Sequence, residues 1–340
     1  GAELRGLCME LEGLIDGLER NLALGAAVDL QARLERLQQT TSEADLLRLL
    51  DRIVTEEELA EYRAPLLGIV ERMESPRFEI AVFGRVSTGK SSLLNHLLDT
   101  SVLPVGVNPI TAVPTRMVHG GEAQLTVTLA GREVRRCAIS ELADYASEER
   151  NPGNELGVTK LVVALPCPRL QNGLVLVDTP GLGALATAGA AETRTYLPQC
   201  DLGILLVSAV NPINEEDLST VEALAMAGIP VMGLLSKADL LSAQDRERAL
   251  EYTKREVRAH LGLEMEVHPV STVGRDEGLL MEWFQKKLSP VFERHQELAV
   301  ESAKRKTGAL REAVTAALRV KLGNGAEAAA SAMPLEDVER

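Results

Sequence analysis

The residues with the clearest chemical potential form a loop over 84–91, which reads GRVSTGKS. The loop follows the apolar run 78–83 and precedes a helix-like stretch over 90–98, so it matches the pattern GxxxxGK[ST] in a strand–loop–helix setting. In this pattern the glycines let backbone N–H groups face phosphate oxygens, the lysine reaches the β and γ phosphates, and the serine hydroxyl joins the Mg²⁺ shell. The sequence therefore predicts a phosphate-binding loop, to which we assign Gly84, Val86, Thr88, Gly89, Lys90, Ser91 and Ser92.

A second chemical signal is the tetrapeptide over 178–181, which reads DTPG and directly follows an apolar strand over 174–177. In this position Asp178 can hold Mg²⁺ through water, and the backbone N–H of Gly181 can bond the γ-phosphate and so sense its presence. A lone DTPG could be just a turn. Its place downstream of the phosphate-binding loop favours the interpretation as a magnesium and γ-phosphate site.

A third signal concerns recognition of the nucleotide base. Ser236, Lys237 and Asp239 fit the pattern [NTS]KxD after a predicted strand. Asp239 can accept the hydrogen bonds that the ring N–H and the exocyclic amine of guanine donate, whereas adenine lacks this donor pair. Ser271 and Thr272 follow the next predicted strand, where a backbone contact to the guanine carbonyl is expected. These residues predict GTP and GDP as ligands rather than ATP.

The loop over 104–115 contains three prolines and a glycine, which suit a segment that orders when GTP binds. We choose Thr111 as the threonine whose hydroxyl and carbonyl engage Mg²⁺ and the attacking water, with Thr115 as the alternative. The other interpretation is a loop with an ordinary β-branched residue. The predicted magnesium ligands are Ser91, Thr111 and Asp178.

Composition limits the possible partners. The chain has 340 residues, of which 45% are hydrophobic. Its net charge of −14 argues against a broad electrostatic attraction to nucleic acid or anionic lipid. It contains no uninterrupted apolar stretch of membrane-spanning length and no signal-peptide pattern, so we expect a cytoplasmic protein. Its start without methionine and its alanine-rich end suggest an excised fragment. The cysteines are expected to be reduced, buried thiols, and they are Cys8, Cys137, Cys167 and Cys200.

The periodicity predicts an α/β domain with a mostly parallel sheet, flanked by helical segments that form a bundle. The predicted strands are 78–83, 123–129, 158–165, 174–178, 202–208, 230–236 and 265–270. The predicted helices are 90–98, 139–149, 214–227, 243–261, 276–288 and 291–322. The domain boundaries follow as 1–75 for the N-terminal helices, 76–289 for the nucleotide-binding domain and 290–340 for the returning helix.

Helix signals in the N-terminal segment are two pairs that fit a capping box, Ser42 with Asp45 and Thr55 with Glu58. Two prolines, Pro76 and Pro290, each preceded by a serine, are expected to end helical stretches because the residue before proline avoids the helical conformation.

With these motifs in place, the sequence resembles the dynamin superfamily, and more closely the bacterial dynamin-like proteins. The resemblance covers roughly residues 40–320. It rests on FGRVSTGKSSLLNHLL, LPVGVNPITAVPT, LVLVDTPGLG and SKAD, together with helices on both flanks. It implies a GTPase domain followed by helices that fold back on those before it, with hinges at Ser75-Pro76 and Ser289-Pro290.

The resemblance also implies a catalytic arrangement. Leu182 stands where Ras-like proteins carry a glutamine that orients water, a trait that dynamin-like enzymes share. Such enzymes complete their site by pairing two GTPase domains across the nucleotides, with a stabilising monovalent cation. Ser87 would then act from the phosphate-binding loop and Thr111 would orient water. Val86 departs from the family, because eukaryotic dynamins have a glutamine there, and this bears on both the dimer contact and the cation site.

Arg85 completes the predicted catalytic set of Arg85, Ser87, Lys90 and Thr111, because a guanidinium in this loop could neutralise transition-state charge. The alternative is that Arg85 faces solvent or pairs with a carboxylate. A catalytic arginine predicts that Arg85→Ala lowers the concentration-stimulated GTPase rate far more than GTP affinity.

The leading functional hypothesis is a mechanochemical GTPase. It forms a homodimer through its GTPase domains when GTP is bound, and it remodels a membrane as a peripheral protein through parts absent from this sequence. One alternative is an RNA- or ribosome-associated GTPase of the Era or TrmE type, which the acidic balance disfavours. The other is a nucleotide-gated scaffold with little turnover, for which Leu182 is the supporting feature.

Overall fold

The structure is a computed structural model that describes residues 30–74, 77–105, 113–131, 133–181 and 199–331. The chain divides into two compact units. One comprises Gly1–Leu66 and Thr307–Arg340, and the other comprises Leu67–Lys306. The division falls before the predicted boundary at 75 and after the one at 289, and these domain boundaries stay predictions.

A nine-stranded sheet dominates the second unit, in the order β4-β3-β5-β2-β6-β1-β7-β8-β9 within the part of the chain that the structure describes. Five pairings are parallel and three are antiparallel, so the prediction of a mostly parallel sheet is confirmed. The strands are β1 (Phe78–Gly84), β2 (Thr115–His119), β3 (Gln124–Leu129), β4 (Val134–Cys137), β5 (Val158–Leu165), β6 (Leu174–Asp178), β7 (Leu202–Ser208), β8 (Val231–Ser236) and β9 (Val267–Pro269).

Helices precede, connect and follow these strands. They are α1 (30–39), α2 (Glu43–Glu56), α3 (Arg63–Glu74), α4 (Lys90–Leu98), α5 (Leu142–Ala146), α6 (Glu215–Met226), α7 (Ala243–Leu261), α8 (Glu277–Trp283), α9 (Ser289–Glu293) and α10 (His295–Ser331). Among the described helices, none has both the length and the apolar character that crossing a bilayer requires.

The core lies on both faces of the sheet because the central strands are apolar at most positions, with Glu79 as the charged exception inside β1. In β1, Phe78, Ile80 and Val82 join one buried cluster, whereas Ala81 and Phe83 join the other. The same alternation runs along β6, and all residues of β1, β6 and β7 are buried. Helices on both faces cover these strands, as a continuous apolar run predicts.

Several local predictions were wrong. Strands β2 and β4 were missed, since both mix charged and apolar residues, and β4 is a largely exposed edge strand. The helix predicted over 139–149 is a short 3₁₀ turn followed by α5, which ends at Ser147, where ψ is 140°.

Pro290 does not interrupt the helical path. It lies in the first turn of α9, which follows directly on a π-helical turn over Phe284–Leu288. Ser75-Pro76 lies outside the described residues.

The two predicted capping boxes are also absent. Ser42 is the N-cap of α2, but its side chain makes no capping hydrogen bond. Thr55 lies inside the last turn of α2, and Glu58 follows the helix with a φ of 55°. The pattern [ST]xx[DE] is short enough to occur at a helix end as readily as at a start.

Of the cysteines that the structure describes, Cys200 alone is buried, and Cys137 and Cys167 are half-buried, so the expectation of uniformly buried thiols was wrong. Burial raises the pKa of Cys200 to about 12. Its thiol is therefore uncharged at neutral pH and a poor nucleophile.

A buried ionic cluster closes the amino-terminal end of the central strands. Asp201, directly before β7, is fully buried and accepts hydrogen bonds from the Glu79 backbone N–H at 2.8 Å, from Ser302 Oγ at 2.6 Å and from Lys306 Nζ at 2.9 Å. Arg72 of α3 forms a further ion pair with Asp201 Oδ2. We call Arg72, Glu79, Asp201, Ser302 and Lys306 the Asp201 cluster.

Candidate functional site

The phosphate-binding loop lies between β1 and α4, at the carboxyl end of one of the inner strands of the sheet. Its backbone takes left-handed conformations at Gly84 (φ 144°), Ser87 (φ 61°) and Gly89 (φ 95°). A Cβ on Gly84 would lie 2.5 Å from the Leu206 carbonyl oxygen of β7, so only glycine fits there. Gly89 is the N-cap of α4, and the free N–H groups of a helix start favour an anion.

Lys90 is buried at the first position of α4. Its Nζ donates to the carbonyl oxygens of Gly84 at 2.9 Å and Arg85 at 3.1 Å. Burial lowers the pKa of Lys90, and the charges of Asp178 and Asp217 oppose that shift. A buried ammonium held only by carbonyl oxygens is poised to bind a phosphate, whose negative charge compensates it better.

The predicted magnesium ligands Ser91 and Asp178 are brought together. Ser91 Oγ donates to Asp178 Oδ2 at 2.7 Å, and Thr179 Oγ fixes the next residue by donating to the Val82 carbonyl at 2.7 Å. A hydroxyl and a carboxylate beside a phosphate site form the hard oxygen donor set that Mg²⁺ takes together with phosphates and water. The residues present therefore fit this ion.

Gly181 lies against the phosphate-binding loop. A Cβ added to Gly181 would lie 2.7 Å from Val86 Cγ2 and 3.0 Å from the Val86 backbone nitrogen. The absence of a side chain allows this close approach between the DTPG turn and the loop, as a γ-phosphate contact through the Gly181 N–H requires.

The residues predicted to read the base meet at the carboxyl ends of β8 and β9. Ser271 Oγ donates to Asp239 Oδ1 at 2.7 Å and accepts from the Val273 backbone N–H at 3.2 Å, which fixes the carboxylate. Ser236 Oγ donates to the Thr88 carbonyl at 2.7 Å, so this serine supports the phosphate-binding loop. Lys237 turns the chain with a φ of 56°.

The remaining predicted residues are dispersed or undescribed. Ser87 is exposed at the tip of the loop, while Ser92 and Thr272 are half-buried. Thr115 is buried at the start of β2, opposite Asp178 in the ladder. Thr111 and Leu182 lie outside the described residues, so their roles stay predictions.

Sequence reasoning missed Asp217, which is fully buried at the start of α6. Its Oδ2 lies 3.2 Å from Arg85 Nε, and Arg85 Nη2 donates to the carbonyls of Asn211 at 2.7 Å and Pro212 at 2.8 Å. Asn214 and Asp217 form a capping box. The spacing NxxD at the start of the helix that follows β7 was the available signal.

We expect Asp239→Asn to weaken GTP binding by about thirtyfold, because the amide offers one acceptor where guanine needs two, a loss of about 2 kcal/mol. Xanthosine triphosphate, which presents an acceptor in place of the amine, should bind the variant better than GTP does. Competition of both nucleotides against a fluorescent guanine nucleotide measures this preference. Unchanged GTP affinity in the variant would contradict the assignment of Asp239 to the base.

Comparison with known proteins gives matches over the nucleotide-binding part. A model described as the dynamin family matches residues 80–238. An uncharacterised protein of Caldicellulosiruptor sp. (strain Rt8B.4) is 28% identical over 186 residues, which are 55% of this chain and 46% of that protein. Dynamin-like protein 2 of Campylobacter jejuni is 33% identical over 181 residues, 52% of this chain and 28% of that protein. The chain spans less than half of either relative.

A solved structure of an oligomerised bacterial dynamin pair, described as providing a mechanism for long-range sensing and tethering of membranes, matches 92% of this chain and 56% of that one. The TM-score is 0.53 at 20% identity. At this identity the likeness shows the fold alone.

Proposed function

We propose that this chain, whose residues 80–238 match a model described as the dynamin family, binds GTP with Mg²⁺ and hydrolyses it to GDP and phosphate. The observation that best supports this proposal is the meeting of three parts at one edge of the sheet. These are the phosphate-binding loop, the Ser91–Asp178 pair at 2.7 Å and the Asp239 carboxylate held by Ser271 at 2.7 Å.

In this proposal each described residue has a separate task. Lys90 and the N–H groups of the loop bind the β and γ phosphates, and Asp239 selects guanine. Ser91 and Asp178 would hold Mg²⁺, which offsets negative charge on the phosphates. The backbone N–H of Gly181 senses the γ-phosphate, and Ser87 and Thr111 are proposed to position the attacking water.

We further propose that two GTPase domains pair when GTP is bound and that this pairing drives movement of the flanking helices during membrane remodelling. The support is the match of residues 80–238 to the dynamin family model and the leucine at position 182, where Ras-like proteins carry a glutamine that orients water. A monovalent cation at the paired site remains part of this proposal, with Val86 as the departure that bears on it.

One experiment tests both GTP hydrolysis and pairing of the GTPase domains. It measures GTP turnover across a range of protein concentrations, with and without lipid vesicles. It also measures the molecular mass of the protein in the presence of GDP and aluminium fluoride. Turnover per molecule should rise with concentration, and the transition-state mimic should double the mass. Turnover that is constant with concentration, from a protein that stays monomeric, would reject pairing but leave GTP hydrolysis standing. A folded protein that binds no GTP would reject the whole proposal.

A further inference from the structure

Arg85 and Asp217 form an ion pair that joins the phosphate-binding loop to the β7–α6 connection. Asp217 is fully buried, and the Arg85 side chain is 22% exposed. Arg85 Nε lies 3.2 Å from Asp217 Oδ2 as an ion pair without a hydrogen bond, and Nη2 donates to the backbone carbonyls of residues 211 and 212. Three contacts from one planar group fix its position far more firmly than a surface ion pair does.

Helix capping does not account for this burial. The capping box uses Asp217 Oδ2, which accepts from the Asn214 N–H at 3.2 Å, and Asp217 N–H, which donates to Asn214 Oδ1 at 3.1 Å. A capping carboxylate does this equally well in solvent. Oδ1 of Asp217 is buried and has no hydrogen-bond partner among the described residues. Burying a carboxylate in this way costs folding free energy. We therefore expect Asp217 to have a role in function in addition to capping the helix.

The position of Arg85 is transmitted to Lys90 through the main chain. The Arg85 carbonyl accepts hydrogen bonds from Thr88 Oγ at 2.8 Å and Lys90 Nζ at 3.1 Å. The residue that Asp217 holds by its side chain therefore holds the loop's own threonine and lysine by its backbone.

We propose that Asp217 is a positioning residue for the phosphate-binding loop, acting through Arg85 to fix the loop in the conformation that receives the nucleotide. The proposal rests on the proposed function, since it concerns the same GTP site. It assigns Arg85 to the free energy of nucleotide binding rather than to charge neutralisation in the transition state. The β and γ phosphates of GTP and the α and β phosphates of GDP all depend on the loop, so both nucleotides are affected.

The test compares Asp217→Asn, Arg85→Ala and the double variant in the full chain. Asparagine preserves the shape of Asp217 and keeps one oxygen that can accept from the Asn214 N–H, but it removes the charge and replaces the second oxygen with an NH₂ group. Each single variant should raise the Kd of fluorescent GDP and GTP analogues alike by about tenfold, and the double variant should be no weaker than the weaker single one. Turnover at saturating GTP should fall less than affinity, a split that a loss of general stability would not produce.

Asn214→Ala is the matched control, because it removes the side-chain cap of α6 and leaves the Arg85–Asp217 pair. Its Kd should change by less than about threefold. Arg85→Lys, which keeps the charge, provides a second variant, and it should retain more affinity than Arg85→Ala.

Two outcomes would overturn the inference while wild-type protein still binds GTP. In the first, Asp217→Asn binds both nucleotides as wild type does. In the second, Arg85→Ala loses turnover at saturation with unchanged Kd. If folded wild-type protein binds neither nucleotide, the proposed function itself fails.

Discussion

Replacing Lys90 with methionine is expected to weaken GTP binding by about a hundredfold or more, the largest functional effect of any single change in this chain. The ammonium is buried and its only described hydrogen bonds go to two carbonyls of its own loop. A bound phosphate would therefore lose its one buried, charge-assisted partner from the loop. Equilibrium titration with a fluorescent GTP analogue measures the loss.

The same variant should not be less stable than the wild type without nucleotide. Burial lowers the pKa of Lys90, so the charged form is disfavoured in the folded state and costs folding free energy at neutral pH. Methionine removes that cost. Lys254→Met, at an exposed ion pair with Glu251 on α7, is the control and should change neither affinity nor stability measurably. Lys90→Met that binds GTP normally would remove the lysine from the site.

Replacing Asp201 with alanine is expected to destabilise the protein by about 3–5 kcal/mol, the largest effect on stability. The variant leaves Lys306, whose side chain is 4% exposed, without its carboxylate. It also takes from Arg72, which is 10% exposed, the nearer of two carboxylates, the other being Glu79 at 3.8 Å. Burial already lowers the pKa of Lys306, and Asp201 opposes this shift. Urea unfolding followed through the fluorescence of Trp283, the only tryptophan, gives the free energy.

Two further variants separate charge from contact. Asp201→Asn keeps an acceptor oxygen for Ser302 and Lys306 but removes the charge, so its loss should be intermediate. Asp245→Ala breaks an exposed ion pair with Arg248 and should cost less than about 1 kcal/mol. Equal losses for Asp201→Ala and Asp245→Ala would show that the cluster is not a principal source of stability.

Much of the candidate site could be predicted because its determinants are local in sequence. The loop over 84–91 carries its own glycines at Gly84 and Gly89, and the helix it starts was predicted with its observed bounds, Lys90–Leu98. Asp178 and Asp239 follow apolar strands, and parallel strands bring such carboxyl ends to one edge. Pattern and topology together therefore place these residues near each other.

The parts that could not be predicted depend on contacts between distant segments. Arg85 and Asp217 are far apart in the chain, as are Arg72 and Asp201. In neither pair does a sequence motif around one residue indicate which residue is its partner. Before the fold is known, Arg85 has many carboxylates to choose from in a chain with 50 acidic residues. The sequence analysis offered pairing with a carboxylate as one alternative for Arg85, but the sequence does not indicate that the carboxylate is Asp217.

The strands show the same distinction. Central strands such as β1 and β7 are apolar at most positions and were predicted closely. Strand β4 is largely exposed and reads VRRC. Strand β2 reads TRMVH, so only Met117 and Val118 of its five residues are apolar. Edge and mixed strands are specified by their neighbours' hydrogen bonds, which a sequence window does not contain.

Strand β1 is hydrogen-bonded on both sides, by β6 and by β7, and is buried along its whole length. Its amide protons should therefore exchange with deuterium only when the whole fold opens, while those of the adjoining loop over 84–91 exchange through small local openings. Two neighbouring peptides in one exchange experiment therefore report two rates, one for unfolding of the whole domain and one for local opening of the loop. Slowing of the second relative to the first would measure ordering by nucleotide directly, with no label added to the protein.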